Sequence, residues 1–437
     1  PQVTVMAARE PYGQQTPRVL SCDSISLTFP LSVRYSIGDR VREMVAIILI
    51  CSLIILFAWL SPFPHWPSWW ICFKETFAKL LPLPAKSRQF KFLAINLVLA
   101  PLHGLVAVID DLIFSGYKNV VIEPIFIIGE PRCGSTFLHR TMALSGNHLA
   151  IRHYQWRYPS VFLQKIISFF AIDKVFENLN YWPKSNEGSV AEKMHANNLA
   201  DWEEDGIFFE EKLNHHFFMF LRFPYPNVLK NATDYKTLSA RHKKKFLSEH
   251  KKAVQKIAHA QGLIHISYLS KEVVSHSMIS DLINIYPNAK FICIVRESFK
   301  FLSSLIPLAR ISTATKNNGF DPKSLQNWEK LILRKIQTDC LILREFSIRH
   351  NSNKNQLLIH SDRLFSNPAM SILSIYKWLD IPLAKDYFEQ IYEISKSQKS
   401  RKKGYVNNFL NYNRDDFELY DNFVRDVYEG VEVHSSC

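Results

Sequence analysis

One short stretch limits what this chain can fold into. Residues 124–140 read Pro-Ile-Phe-Ile-Ile-Gly-Glu-Pro-Arg-Cys-Gly-Ser-Thr-Phe-Leu-His-Arg. A short, unbroken apolar run without alternation is the pattern of a strand buried on both faces, and such strands belong to parallel sheets covered by helices. The run ends at Gly129, and a second glycine, Gly134, opens an amphipathic helix. A strand that turns through glycines into a helix aims successive backbone N–H groups at one point. The positive end of the helix dipole lies there too, so the place favours a phosphate-like anion.

Similar buried strands are expected at 124–129, 263–267, 290–295 and 356–360. Helical periodicity fills 135–145, 239–260, 276–286, 322–349 and 368–379. This alternation, beginning near Val120, predicts an α/β fold: three layers, α/β/α, around a central parallel sheet of the P-loop nucleotide-binding kind. The 437 residues are 47% hydrophobic and 21% charged, which excludes a wholly disordered chain. A formal net charge of +13 predicts affinity for polyanions without choosing among them. The run Lys243, Lys244, Lys245, Lys251 and Lys252 reads as a solvated face. No basic–aromatic nucleic-acid module is present. Seven scattered cysteines without a CxxC pair give neither a zinc site nor a disulfide framework.

Ahead of this pattern lies a different chemistry. Residues 1–43 form a polar tail with scattered Pro and Gly, and because it opens on Pro a preceding segment is expected. From Met44 to Phe73 no residue carries a formal charge. Residues 44–64 are expected to form a transmembrane helix, about 30 Å long. Trp59, Trp66, Trp69 and Trp70 crowd its far end as an interfacial belt would. Arg34, Arg40 and Arg42 precede it, which predicts a cytosolic N-terminus and type II topology; Glu43, Lys74 and Lys79 oppose that orientation. Residues 65–118 read as a membrane-proximal helical region. Its apolar stretch Phe92–Ile109 is either a second span or a helix lying on the domain or the membrane, and Pro101 and His103 favour the latter. The sequon Asn231-Ala232-Thr233 fits a lumenal domain.

The glycine loop departs from the nucleotide-triphosphatase pattern GxxxxGK[ST]. Gly129 and Gly134 keep the spacing and Thr136 the last position, but Ser135 stands where the lysine belongs. That lysine normally reaches the β and γ phosphates, so its loss argues against ATP or GTP hydrolysis. The cation appears earlier, as Arg132. A guanidinium inside the loop suits a shorter anion needing no metal, which it can grip with two hydrogen bonds.

The stretch Gly129-Glu-Pro-Arg-Cys-Gly-Ser-Thr resembles the 5′-phosphosulfate loop of sulfotransferases that use 3′-phosphoadenosine-5′-phosphosulfate (PAPS), the carbohydrate or broad type included. The resemblance covers about Asp110 to Glu429. It implies donor contacts from Arg132, Cys133, Gly134, Ser135, Thr136 and Phe137. A second element agrees with it: a strand ends at Arg296, and Ser304 follows eight positions later, as in the family's 3′-phosphate site. Glu297-Ser298 replaces the usual Asp-Pro or Asn-Pro there. Arg401-Lys402-Lys403-Gly404 resembles the loop that closes over the 3′-phosphate in cytosolic members; a basic surface loop is the other reading. Ile359–Pro368 resembles a structural segment of the family, with His360 in place of Tyr.

For the acceptor side, the resemblance implies a catalytic cation at Lys271, sixteen residues before Pro287, although Glu272-Val273 replaces the family's Ser-Pro. A solvated lysine at a helix start is the alternative. Trp202-Glu203-Glu204-Asp205-Gly206 resembles an acidic stretch of the group. Clustered carboxylates among aromatics can raise one pKa toward neutrality. Glu204 is therefore the expected base and Glu203 the second choice, with His195 and His276 chemically able to serve. An acidic helix start is the plain alternative.

The reading is a membrane-anchored sulfotransferase with residues 119–437 as its catalytic domain. It is expected to move a sulfuryl group from PAPS in line to a hydroxyl or amine, a carbohydrate hydroxyl among them, leaving 3′,5′-ADP, without metal. Topology and resemblance together imply a Golgi setting with the domain lumenal. Two rivals stand: a P-loop kinase or other phosphotransferase needing Mg²⁺, and a non-catalytic membrane-tethered binder of anionic ligands. The aromatic-rich loops at 150–235 suit sugar rings, sterols and lipid heads equally.

Overall fold

The computed structural model describes residues 37–78, 81–232, 235–272, 276–350, 354–400 and 412–430. Its centre is a sheet of five strands: β1 (Val121–Gly129), β2 (Leu149–Ala150), β3 (His265–Glu272), β4 (Lys290–Val295) and β5 (Gln356–His360). Their order is β2-β3-β1-β4-β5, and every neighbouring pair is parallel. Parallel neighbours need crossover connections, and here helices supply them. Alternate side chains of β1 and β4 face opposite ways. Phe126, Ile128, Phe291, Cys293 and Val295 pack with helices Ala240–Ala260, Ser298–Lys316 and Trp328–Arg349. Ile125, Ile127, Ile292 and Ile294 pack with the helix after β1, Ser135–Ala143, and with Pro368–Leu379 and Lys385–Ser400. Helices thus cover both faces, as uninterrupted apolar strands require.

β4, β5 and helix Pro368–Leu379 match their expected bounds. β3 does not. It runs five residues past the expected end at Ser267, pairing Ile127 with Lys271 and Ile128 with Glu272. Its C-terminal half is polar, so it reads as a strand end, yet those polar groups are satisfied in a buried cluster. Lys271 is consequently a strand residue, only 2% exposed, and not a solvated lysine at a helix start.

The chain divides into two units, Pro1–Ser52 and Leu53–Cys437. The described part of the first lies in helix α1 (Ile37–Leu60), and its residues 41–50 are exposed. The helix stops at Leu60, short of the expected Pro64, because Pro62 and Pro64 bring no backbone N–H to continue it. In the second unit follow α2 (Trp66–Ala78) and α3 (Leu83–Ile113). Val41–Leu60 and Leu83–Ile113 are each long and apolar enough to cross a bilayer. α3 runs on through Pro101. Its buried residues Ala85, Gln89, Leu93, Asn96, Ala100, Gly104 and Asp110 recur at helical spacing, so one face packs on the domain. Polar pins hold both ends. Gln89 donates to the Arg222 carbonyl (3.0 Å) and to Asn317 Oδ1 (2.9 Å). Asp110 accepts from Ser160 Oγ and the Phe162 N–H, both at 3.0 Å, and meets Lys256 at 3.0 Å. At Gly104 a Cβ would stand 1.7 Å from the Phe57 carbonyl oxygen, so only glycine admits that approach.

Candidate active site

In an open parallel sheet, ligands bind beyond the C-terminal strand ends, where the crossover direction reverses. β1 lies between β3 and β4, and at their C-terminal ends a cleft of about 870 Å³ opens. Gly129 lets β1 close on β4: a Cβ there would stand 2.4 Å from the Ile294 carbonyl. Past it, Arg132 takes a left-handed φ of 72°, uncommon for a side-chain-bearing residue. Arg296, at the end of β4, donates from Nη1 to the Arg132 carbonyl at 2.6 Å and holds that turn. The Arg132 guanidinium donates from Nε to Ser304 Oγ at 2.9 Å and from Nη2 to the Met194 carbonyl at 3.3 Å. Gly134 caps the following helix at φ 108°, and a Cβ on it would strike the Phe365 ring at 2.8 Å. Arg132, Gly134, Ser135, Thr136, Arg296 and Ser304 all line the one cleft.

The opposite wall is acidic. Lys271 Nζ donates to Thr136 Oγ1 at 3.0 Å and lies 3.3 Å from both Glu203 Oε1 and Glu204 Oε2. These carboxylates are 2% and 7% exposed. Burial alone would raise Glu203, but Lys271, His195 and Arg140 outweigh it and hold that carboxyl well below its ordinary range. Burial, with the charges of Glu203 and Glu272 added, pushes Glu204 up to about 7 against the pull of Lys271. Asp205 pins the loop from behind. Tyr268 and Ser270 donate hydroxyls to it at 2.8 and 2.7 Å, His250 Nε2 lies 3.0 Å away, and its own N–H donates to the Lys271 carbonyl. A fixed cation bonded to the glycine loop thus stands beside two carboxylates of unlike basicity in the same cleft.

The model of the sulfotransferase family matches residues 124–385, more than half of the chain and the part that builds this cleft. The chain belongs to the sulfotransferase family. Its fold is similar to that of sulfotransferase STF9 from Mycobacterium avium, at 12% identity and a TM-score of 0.57 over 85% of this chain and 97% of that one. It is also similar to sulfotransferase STF1 from Mycobacterium tuberculosis H37Rv, at 14% identity and a TM-score of 0.54 over 87% of this chain and 98% of that one. At such identities the likeness is one of fold. No curated protein matches the chain.

Other residues singled out in the sequence of this sulfotransferase divide between the cleft and its surroundings. Cys133 and Phe137 do not line the cleft with their side chains. Cys133 is buried beneath the loop, burial pushes its thiol up to about 11, and its carbonyl accepts from Ser361 Oγ. Phe137 packs with Phe365. His195 does line the cleft, and burial pushes it down to about 4, so it is neutral at pH 7. His276 does not: it is buried 3.5 Å from Glu130, inside the fold, and is no base for a ligand in the cleft. Arg401, Lys402, Lys403 and Gly404 lie outside the described residues.

The acceptor-side lining comes from the 150–235 region marked in the sequence, though its individual residues were not singled out there. Tyr181, Trp182, Lys193 and Asn197 come from a segment with no strand signal, and Phe217, Phe218 and Leu221 from a run that reads as ordinary core. At the rim, Glu297, His360 and Asp362 bring ligand atoms within 4.8 Å of one another. The Lys300 ammonium sits between two of them, 2.9 Å from Glu297 and 2.6 Å from Asp362, and supplies the positive charge there.

Proposed function

We propose that residues 119–437 transfer a sulfuryl group from PAPS to an acceptor hydroxyl or amine, and that α1 anchors this domain to a membrane. One observation carries the reading: Arg132 and Arg296, from the ends of neighbouring strands, face one cleft whose other wall holds Lys271 against Glu203 and Glu204. PAPS supplies the activated sulfuryl group. Arg132 and the N–H groups of the 129–136 loop suit its 5′ end, and Arg296 with Ser304 its 3′-phosphate; the glycines at 129 and 134 let the loop close against Ile294 and Phe365. Lys271 and Arg132 place positive charge where negative charge builds on the leaving side. Glu204 takes the proton of the acceptor hydroxyl, and a base near pKa 7 is matched to that task at neutral pH. Glu203 stays ionised and keeps Lys271 in position. The loop at 401–404 completes the grip on the 3′ end in this reading. A Golgi membrane with the domain lumenal is the compartment that goes with it.

The test incubates the purified full chain with radiolabelled PAPS and a panel of glycan, lipid, sterol and phenol acceptors, without added Mg²⁺. Label transfer is expected, and falls in Arg132→Ala through turnover and in Arg296→Ala through donor affinity. Binding of 3′,5′-ADP that survives both substitutions overturns the reading, as does transfer of phosphate in place of sulfate.

A further inference from the structure

We infer that the acceptor is a membrane-resident amphiphile: a hydroxyl-bearing lipid or lipid-linked molecule whose apolar body seats against one wall of the cleft. The inference rests on the sulfotransfer reading above and names its substrate class. The cleft is two-sided. Tyr181, Lys193 and Asn197 give one part of it a polar lining, while Phe217, Phe218 and Leu221 on helix His216–Arg222, with Leu305, Leu308 and Ala309 on helix Ser298–Lys316, make an apolar wall. An alkyl or fused-ring body buries its whole surface there, whereas a sugar ring can offer the wall only one face.

The same two helices are held from behind by α3. Met219 and Phe223 join Cys72 of α2 and Ala85 and Leu93 of α3 in one apolar cluster. The Arg222 guanidinium stacks on Phe92 at 3.8 Å. Gln89 bonds the Arg222 carbonyl and Asn317, and Asn317 in turn donates to the Leu221 carbonyl at 3.1 Å. The apolar wall and α3 are therefore adjacent layers, about 8–10 Å between helix axes. On its outward side α3 exposes Leu83, Val98, Leu102, Leu112 and Ile113, between 48% and 79%. Such a face on a helix docked by its other face fits lipid and not water. An acceptor held in that lipid stands one helix layer from the wall that would receive its apolar part.

The experiment uses the full chain in phosphatidylcholine nanodiscs and hexadecanol carrying a terminal diazirine. After photolysis, adducts are expected within 217–221 or 305–309. Excess hexadecanol suppresses them, equimolar glucose does not, and Leu308→Asp lowers them about tenfold or more. Adducts confined to α1 and the outward residues of α3, or displaced as well by glucose, overturn the inference. A turnover arm compares dodecyl and ethyl glucoside with labelled PAPS. Each methylene taken from water is worth about fourfold, so four seated methylenes favour the dodecyl form about 250-fold in kcat/KM referred to the free aqueous glucoside. Equal values overturn the amphiphile reading and leave sulfotransfer standing. Adducts in the cleft without transfer to either glucoside support the amphiphile and count against the reaction.

Discussion

The wall of the cleft that carries Arg132 and Arg296 is made of strand ends, and the wall that carries Glu203 and Glu204 is a loop pinned from behind by Asp205. In the first, Arg132 donates to a serine hydroxyl and a carbonyl, and Arg296 donates to the Arg132 carbonyl and so ties the two strand ends together. The second wall matches its charges internally, Lys271 against two carboxylates at 3.3 Å, all nearly shut off from water. Charge compensated in this way sets protonation states more than it attracts ligands. In the proposed reaction the first wall holds an anion and the second a proton.

Substitutions that separate these tasks would break the comparison or sharpen it. The largest expected effect is Glu204→Gln, which should lower kcat about 10²–10⁴-fold while 3′,5′-ADP affinity, read by calorimetry, stays within about threefold. Turnover that persists would move the base elsewhere, His195 being next in the cleft. Arg132→Ala should cost about 10²–10³ in kcat. Arg296→Ala should act chiefly on donor affinity, about 10–100-fold, the worth of a charged hydrogen bond. Equal losses in both parameters for both arginines would erase the distinction between them.

Smaller effects should appear in pH dependence. With Glu204 as base, kcat/KM should rise about tenfold per pH unit below about 7 and level off above it. Stability should move the opposite way. The folded state holds the Glu204 proton more tightly than the unfolded chain does, so this group's contribution is full below its ordinary value of 4.5 and is lost as pH climbs toward about 7. Glu204→Gln should therefore melt higher than the parent at pH 8, by about 1–4 °C, with no such gain at pH 4. A lower melting temperature at pH 8 would mean that its ionised form stabilises the fold.

The wall built by the glycine loop and Arg296 was legible in the sequence because its signals are local. A strand, two glycines and a helix start lie within seventeen consecutive residues, and the spacing of Arg296 and Ser304 lies within one strand–helix unit. β4 and β5 were equally plain as apolar runs bounded by polar turns. The end of β3 was not: Ser270, Lys271 and Glu272 look like residues leaving a strand, and only burial beside Asp205, Glu203 and Glu204 explains their place in it. The apolar wall was hidden for the opposite reason. Phe217, Phe218 and Leu221 are indistinguishable in sequence from core residues such as Phe220, with which they pack; only the tertiary fold brings the first three to the cleft while Met219 and Phe223 turn toward α3.

By itself the sequence determined the anion loop, the arginine at the end of β4, and two apolar segments long enough for a bilayer, because each depends on residues within one or two elements. Tertiary structure alone decided that Lys271 meets Glu203 across 68 positions of chain, that His276 turns away from the cleft, and that α3 backs its apolar wall. Such meetings arise from how crossover helices lay distant segments side by side, and no local pattern of side chains records that.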